Sequence, residues 1–416
     1  MWGFPKANNF NALFIGQSGT GKTHGIQHMM AHALNPSVTW HITDIKGDFT
    51  YEVFRSKGLG SMVPREMIHT MDFSYVEGDA ALNLLRFPLF KEAGGVFMAI
   101  QEVLGILKQY NPSFSRKMEG YISQIMEEVY EDAGISHDDL ASWHKEMPTL
   151  LDLQNKVRDI IRAIQTETGA SFIKRVKTSR EKLSEVVTFL NNAGSIEEGD
   201  GSREHLCRHA EEIRDVMEQL LDPRQLNDEY YADWKVETLM SIKDTLQSML
   251  SSKLFSRQFV SPKRGKINVY KISGLSPTHQ QIIMRITFNR ILATSIAEAS
   301  KSGNYDDLMP RHILVTDEGK HANAMSSSQM GPLSRVATEG RGVGCGVWCG
   351  VQSIDHLSSD VLESFATRYV TNVSEASYSA MKKHLGVSKR DLEALLPKVN
   401  CLFSGAQTFQ LIRPFA

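Results

Sequence analysis

Residues 16–23 read Gly16-Gln17-Ser18-Gly19-Thr20-Gly21-Lys22-Thr23, and this stretch decides the fold. It fits the pattern G-x-x-x-x-G-K-[ST] in full. Its neighbours are the right ones: an apolar strand pattern from Phe10 to Ile15 before it and a helical pattern from Lys22 to Leu34 after it. The glycines let successive backbone N–H groups converge on phosphate oxygens. The helix N-terminus adds its partial positive charge. From Gly16 to Gly21 the loop is expected to cradle the phosphates of ATP. Lys22 is expected to reach the terminal phosphates, and Thr23 to ligate Mg²⁺. ATP and Mg²⁺ are therefore the expected cofactors.

Working outward, Ser37–Thr43 and Met67–Met71 read as a second and a third strand. Strands alternating with helices predict a parallel sheet flanked by helices. The pattern changes near Phe87. From there to about Gln258 apolar residues recur at three and four positions, as in helices, at Val96–Gln109, Ser115–Asp132, Thr149–Gln165, Ala170–Leu190, Arg203–Leu221 and Val236–Leu254. Gly194–Ser202 is acidic and glycine-rich and reads as a linker. The alternation resumes with a strand at Ile267–Ile272, a helix at Pro277–Ser300 and a strand at His312–Thr316. Strands follow at Gly346–Gly350, Arg368–Val373, Val399–Ser404 and Thr408–Ile412. The expected fold is α/β: a P-loop core made of 1–86 and 259–416, interrupted by an all-α insertion at 87–258.

Composition narrows the class. The 416 residues are 41% hydrophobic and 23% charged, a globular mixture that excludes collagen-like or low-complexity fibre. Lys+Arg is 46 against Asp+Glu 48, so a globally basic nucleic-acid coat is excluded while a local basic channel is not. Four cysteines are no disulfide framework and point to a reducing compartment. No apolar run reaches the ~18 residues that a spanning helix needs, and the N-terminus lacks the layout of a signal peptide. The expected location is the cytoplasm; work at the inner face of a membrane would need an anchor from another subunit.

A second signal stands far downstream. His312-Ile-Leu-Val-Thr-Asp317-Glu318 is a buried strand pattern ending in two carboxylates. Charges at such a strand end are costly unless used or paired. Asp317 is expected to hold the Mg²⁺ shell, and Glu318 to orient and deprotonate an attacking water.

With these pieces in place the sequence resembles the HerA/FtsK superfamily of P-loop motor ATPases, which includes conjugative coupling proteins and type IV secretion ATPases. The phosphate loop carries the resemblance first. Thr43-Asp44-Ile45-Lys46-Gly47-Asp48 is similar to the family's Asp-x-Lys-Gly segment, and Asp317-Glu318 to its acidic strand end. Glu339-Gly-Arg341-Gly-Val-Gly, followed by a strand and Gln352-Ser353, is similar to its E-G-R-x-x-G … Q-S block. The likeness covers roughly 1–86 and 259–416. It implies a RecA-like core and a helical insertion like the all-α domain of coupling proteins. It also implies that Gln352 is a polar sensor for the γ-phosphate or the attacking water. By the same resemblance Arg341 is an arginine finger reaching a neighbouring subunit's nucleotide, with Arg335 and Arg368 in reserve. The expected partners are other copies of the chain in a hexameric ring, DNA or a secretion substrate, and membrane-anchored or secretion-complex subunits. The alternatives are a viral or plasmid genome-packaging ATPase and a nucleotide-stabilised docking scaffold with incidental turnover.

Two weaker patterns complete the reading. His205-x-Cys207-x-His209 does not make a metal site, because Cys207 faces away from both histidines on a helix. Lys174, Arg175, Lys177, Arg180 and Lys182 form a basic run that could meet DNA phosphates, although a solvated helix face is the plainer account.

Overall fold

The computed structural model describes residues 9–165, 234–255, 261–302, 310–320, 331–405 and 409–413. The linker at Gly194–Ser202, the helix patterns at Ala170–Leu190 and Arg203–Leu221, the His205–His209 pattern and the basic run from Lys174 to Lys182 lie outside the described residues.

Nine strands form one sheet: β1 Ala12–Ile15, β2 Thr39–Asp44, β3 Ile68–Asp72, β4 Ile267–Lys271, β5 His312–Thr316, β6 Cys345–Val351, β7 Thr367–Val370, β8 Cys401–Ser404 and β9 Gln410–Ile412. Their order is β3-β4-β2-β5-β6-β1-β7-β8-β9. Pairing is parallel from β3 through β7, and antiparallel for β7 with β8 and for β8 with β9. The central strands are buried along their whole length. This is why they read as continuous apolar runs rather than alternating ones.

Alternate residues share a face. Phe14, Trp40, Ile42, Val315, Trp348 and Tyr369 pack with Ile26 and Met30 of the helix that follows the phosphate loop, α1 Lys22–Ala33. Trp40 and Trp348 meet edge to face at 4.9 Å. The opposite face is partly polar: His41 bonds Tyr270 Oη at 3.2 Å and His312 Nδ1 at 3.0 Å, and His312 Nε2 bonds Glu298 of the helix Pro277–Ser302 at 3.2 Å.

Contacts divide the chain into two compact units, one of Met1–Pro112, Ala133–Thr149 and Ser252–Ala416, the other of Ser113–Asp132 and Leu150–Ser251. The sheet belongs to the first, as does the helix Gly95–Tyr110, which contacts the helix Pro277–Ser302. In the second unit the helices Arg116–Asp132, Leu150–Gln165 and Val236–Ser251 pack on one another through Ile125, Val129, Val157 and Ile242, all buried. Lys156 pairs with Glu128 at 3.2 Å and Asp132 at 2.9 Å, and Tyr121 stacks on Trp234 at 4.0 Å. Among the described residues no helix is long and apolar enough to cross a membrane.

Strand and helix positions follow the sequence patterns to within a few residues. One detail differs. Arg341 lies on a 3-10 turn, Gly340–Val343, and not on the α-helix that precedes it, Pro332–Glu339. Three glycines in five residues give that stretch poor helix propensity. Cys345 and Cys349 lie within β6, spaced so that both enter the same packed face.

Candidate nucleotide site

In a parallel sheet the C-terminal strand ends gather at one edge, and loops there can converge. β1 ends at Ile15, paired with Val351 of β6 and Val370 of β7. The phosphate loop leaves that end. Gly16 N–H donates to the Val351 carbonyl at 3.2 Å, and Gln17 N–H to the Asn372 carbonyl at 2.9 Å. A Cβ on Gly16 would lie 1.8 Å from Thr371 Oγ1, so only glycine fits. Thr371 Oγ1 also bonds Thr20 Oγ1 at 2.7 Å, tying the loop to the strand end beyond it. Gly19 and Gly21 take φ of 77° and 107°, which residues with side chains rarely adopt. Ser18 and Gly19 lie exposed at the crest of the loop.

Lys22 is buried at 8% exposure. Its ammonium folds back on its own loop and donates to the Gly16 carbonyl at 2.7 Å and the Gln17 carbonyl at 2.9 Å. Burial lowers its pKa, helped by the nearby Lys46 charge and opposed by Glu318 and Asp317. One residue on, Thr23 Oγ1 reaches Asp317 Oδ2 at 3.4 Å, across 294 positions of sequence. Phosphate loop and acidic strand end therefore meet.

Asp317 follows β5 and is 2% exposed. Burial raises its pKa, Lys46 opposes the rise, and Glu318 and Asp44 add to it. Its Oδ1 is buried and accepts no hydrogen bond among the described residues. A buried carboxylate oxygen with an open acceptor position, beside a threonine hydroxyl, is a donor set that fits a hard cation such as Mg²⁺. Glu318 is partly exposed beside it.

The cation between the two carboxylates is Lys46, to which the sequence patterns alone assign no role. Its Nζ lies 2.6 Å from Glu318 Oε1 and 3.4 Å from Asp317 Oδ2. Burial alone would lower the Lys46 pKa, but Asp317 and Glu318 together carry it above the ordinary lysine value. The turn that presents Lys46 is built around Asp44, 1% exposed at the end of β2. Asp44 Oδ1 accepts the N–H groups of Lys46 at 3.3 Å, Gly47 at 2.8 Å and Asp48 at 3.1 Å, and Oδ2 that of Phe49 at 3.1 Å. Burial nonetheless raises the Asp44 pKa, against the pull of these donors. The sequence marks the turn, an Asp closing a buried strand with a Gly three residues on, but not the carboxylates that Lys46 meets.

Gln352 comes one residue after the Ile15–Val351 pair, so it stands level with Gly16 at the same edge, exposed. Arg341 is not brought there. It precedes β6, and that strand's seven residues, at ~3.3 Å each, set it roughly 20 Å from the loop edge. It is exposed. Arg335 pairs with Glu339 one turn away at 3.1 Å. Arg368 is half-buried, and its guanidinium donates to the Phe365 carbonyl at 3.2 Å.

On α1, directly behind the loop, His24 and His28 lie with ring centroids 4.4 Å apart and their planes tilted by 46°. Burial, then the charges of His28, Lys57 and Lys398, lower the His24 pKa to about 4, and burial lowers His28 too.

No protein-family model matches this sequence. No curated protein matches it either. Solved structures do. VirB4 of Thermoanaerobacter pseudethanolicus aligns over 97% of this chain and 88% of its own, at TM-score 0.60 and 14% identity. The bacterial conjugative coupling protein TrwBdeltaN70, in complex with sulphate, aligns over 98% and 85%, at TM-score 0.52 and 12% identity. The genome packaging NTPase B204 from Sulfolobus turreted icosahedral virus 2 overlaps only 36% of this chain at TM-score 0.28, too little to bear on the fold. At such identities the likeness is one of fold: this chain has the RecA-like P-loop architecture of VirB4 and of the coupling protein.

Proposed function

We propose that this chain is an ATPase subunit of a ring motor that moves DNA, a nucleoprotein or a protein substrate, as in conjugation or type IV secretion. The observation that carries the reading is the meeting of Thr23 with Asp317, with Lys22 and Glu318 on either side. The fold shared with a conjugative coupling protein supports the choice of process.

In this reading the backbone N–H groups of 16–21 hold the phosphates, and Lys22 exchanges its two loop carbonyls for phosphate oxygens. Thr23 and Asp317 hold Mg²⁺, which when bound neutralises phosphate charge. Glu318 orients a water for in-line attack on the γ-phosphorus and takes its proton as the bond to ADP breaks. Gln352, level with the loop, would sense the γ-phosphate. Arg341 completes the site of the next subunit. Within 87–258, the helices Arg116–Asp132, Leu150–Gln165 and Val236–Ser251, which belong to the unit without the sheet, would serve a substrate or partner.

Glu318→Gln tests the chemistry. The amide keeps shape and loses basicity, so turnover falls ~10²–10⁴-fold while ATP stays bound. Wild-type turnover by this variant removes Glu318 from the role. Mass photometry with ATP, paired with an ATPase assay, each with and without single- or double-stranded DNA, tests the motor. A ring whose ATPase rate rises with substrate supports translocation, and an unstimulated rate favours the scaffold.

A further inference from the structure

Resting on the nucleotide reading above, we propose that the Lys46 ammonium holds the cation position beside Asp317 in the nucleotide-free chain, so that a divalent metal enters with its nucleotide and not alone. Two groups converge on one carboxylate oxygen. Thr23 Oγ1 and Lys46 Nζ each lie 3.4 Å from Asp317 Oδ2, and Lys46 Nζ also contacts Glu318 at 2.6 Å. Any metal shared by Thr23 and Asp317 therefore approaches an ammonium already in place. In a partly buried site the repulsion between +2 and +1 charges is far less screened than in water.

The ammonium cannot withdraw by a movement of its backbone. Asp44, itself buried, holds the turn through four N–H donors spanning Lys46 to Phe49. Only the side chain can move, and it is free to do so, being 43% exposed. The phosphates of a bound nucleotide change the balance: their negative charge offsets the metal, and the complex is admitted where the bare ion is repelled. The contact given up is the longer one, to Asp317. Lys46 keeps Glu318, and the carboxylate is held in place as the metal side fills. Lys46 is thus a positioning residue that links metal entry to nucleotide entry, and it touches neither phosphate nor water in this account.

Electron paramagnetic resonance of Mn²⁺, titrated into the full chain without nucleotide, reads this directly. Lys46→Met should bind bare Mn²⁺ at least ~10-fold tighter than wild type, because one repelling charge is gone. Lys46→Arg, which keeps the charge, should bind it as weakly as wild type. Adding Asp317→Asn to Lys46→Met should abolish the gain. Affinity for Mn·ATP should change little with Lys46→Met, which also reports that the variant is folded. Unchanged or weaker Mn²⁺ binding by Lys46→Met, with Mn·ATP still bound, overturns the proposal and leaves the nucleotide site standing. If neither wild type nor any variant binds Mn·ATP, the nucleotide reading falls and takes the proposal with it.

Discussion

At the C-terminal edge of the sheet Lys22, Asp44 and Asp317 are buried, and each is held by named partners: loop carbonyls, backbone N–H groups, a threonine hydroxyl and an ammonium. At the N-terminal edge Arg341 stands exposed on a glycine-rich 3-10 turn, a full strand length away. Buried charge is tolerated only where it is bonded, so the first edge is a self-complete half of a site. The second edge carries an exposed cation, which the proposed function assigns to a neighbouring subunit's site.

The strongest way to break this comparison is Arg341→Ala. A guanidinium that neutralises a transferring phosphoryl group is worth ~10³–10⁵ in rate. Turnover should fall by that order, while ATP affinity of the single subunit stays nearly intact. Mixing these subunits with Glu318→Gln subunits should restore activity above either parent, because some interfaces then pair an intact Glu318 with an intact Arg341. Mixed rings that native mass spectrometry detects but that stay inactive leave the trans assignment unsupported. Single-turnover hydrolysis by monomeric wild type, lost in Arg341→Ala, would place the residue in its own subunit's site and end the contrast between the edges.

Lys22→Met probes the self-complete half. It removes charge-assisted hydrogen bonds worth ~1.5–3 kcal/mol each, so ATP binding should weaken roughly 10–100-fold by titration. The two variants should thus split cleanly, one losing affinity and the other rate. Equal ATP affinity in Lys22→Met and wild type would remove the phosphate-loop assignment.

The split also explains what the sequence could show. The phosphate loop is local: eight consecutive residues carry both its glycine geometry and its lysine, so 16–23 was legible without a structure. Asp317 and Glu318 were legible because a buried strand pattern ends on them. The strands were legible because a parallel sheet buried on both faces needs continuous apolar runs. Lys46 was not, since its role depends on β2 lying beside β5, which brings Lys46 to Glu318 across 272 positions. Nor was the support given by Thr371 and Asn372, which reach the loop only because β7 lies beside β1. Adjacency in a sheet is long-range information, and residue pattern fixes a strand without fixing its neighbour. The helix Gly95–Tyr110 shows the same limit: its apolar spacing gave its extent, while its companion, the helix Pro277–Ser302, came from the fold.

The smallest expected effect concerns protons at the self-complete edge. His24 has an ordinary pKa of 6.5 that burial and neighbouring cations lower to about 4. Between those values the unfolded chain takes up a proton that the native chain refuses. Stability contributed there rises with pH and is lost as pH falls from 6.5 toward 4. His28 acts in the same direction. Asp44 and Asp317 act oppositely, since their raised pKa values let the native chain take protons earlier than the unfolded one. The histidine contribution is therefore best read as a difference between variants. Denaturant midpoints should drop for wild type between pH 7 and pH 5, and drop less for His24→Gln. The gap should stay below ~1 kcal/mol, because the ring is partly solvated and screened. Arg341→Ala should follow wild type at both pH values, its charge being outside the packed edge. Parallel drops in wild type and His24→Gln would mean that the packing behind the phosphate loop costs a charged imidazole nothing, and the first edge would be less closed than its buried lysine and carboxylates imply.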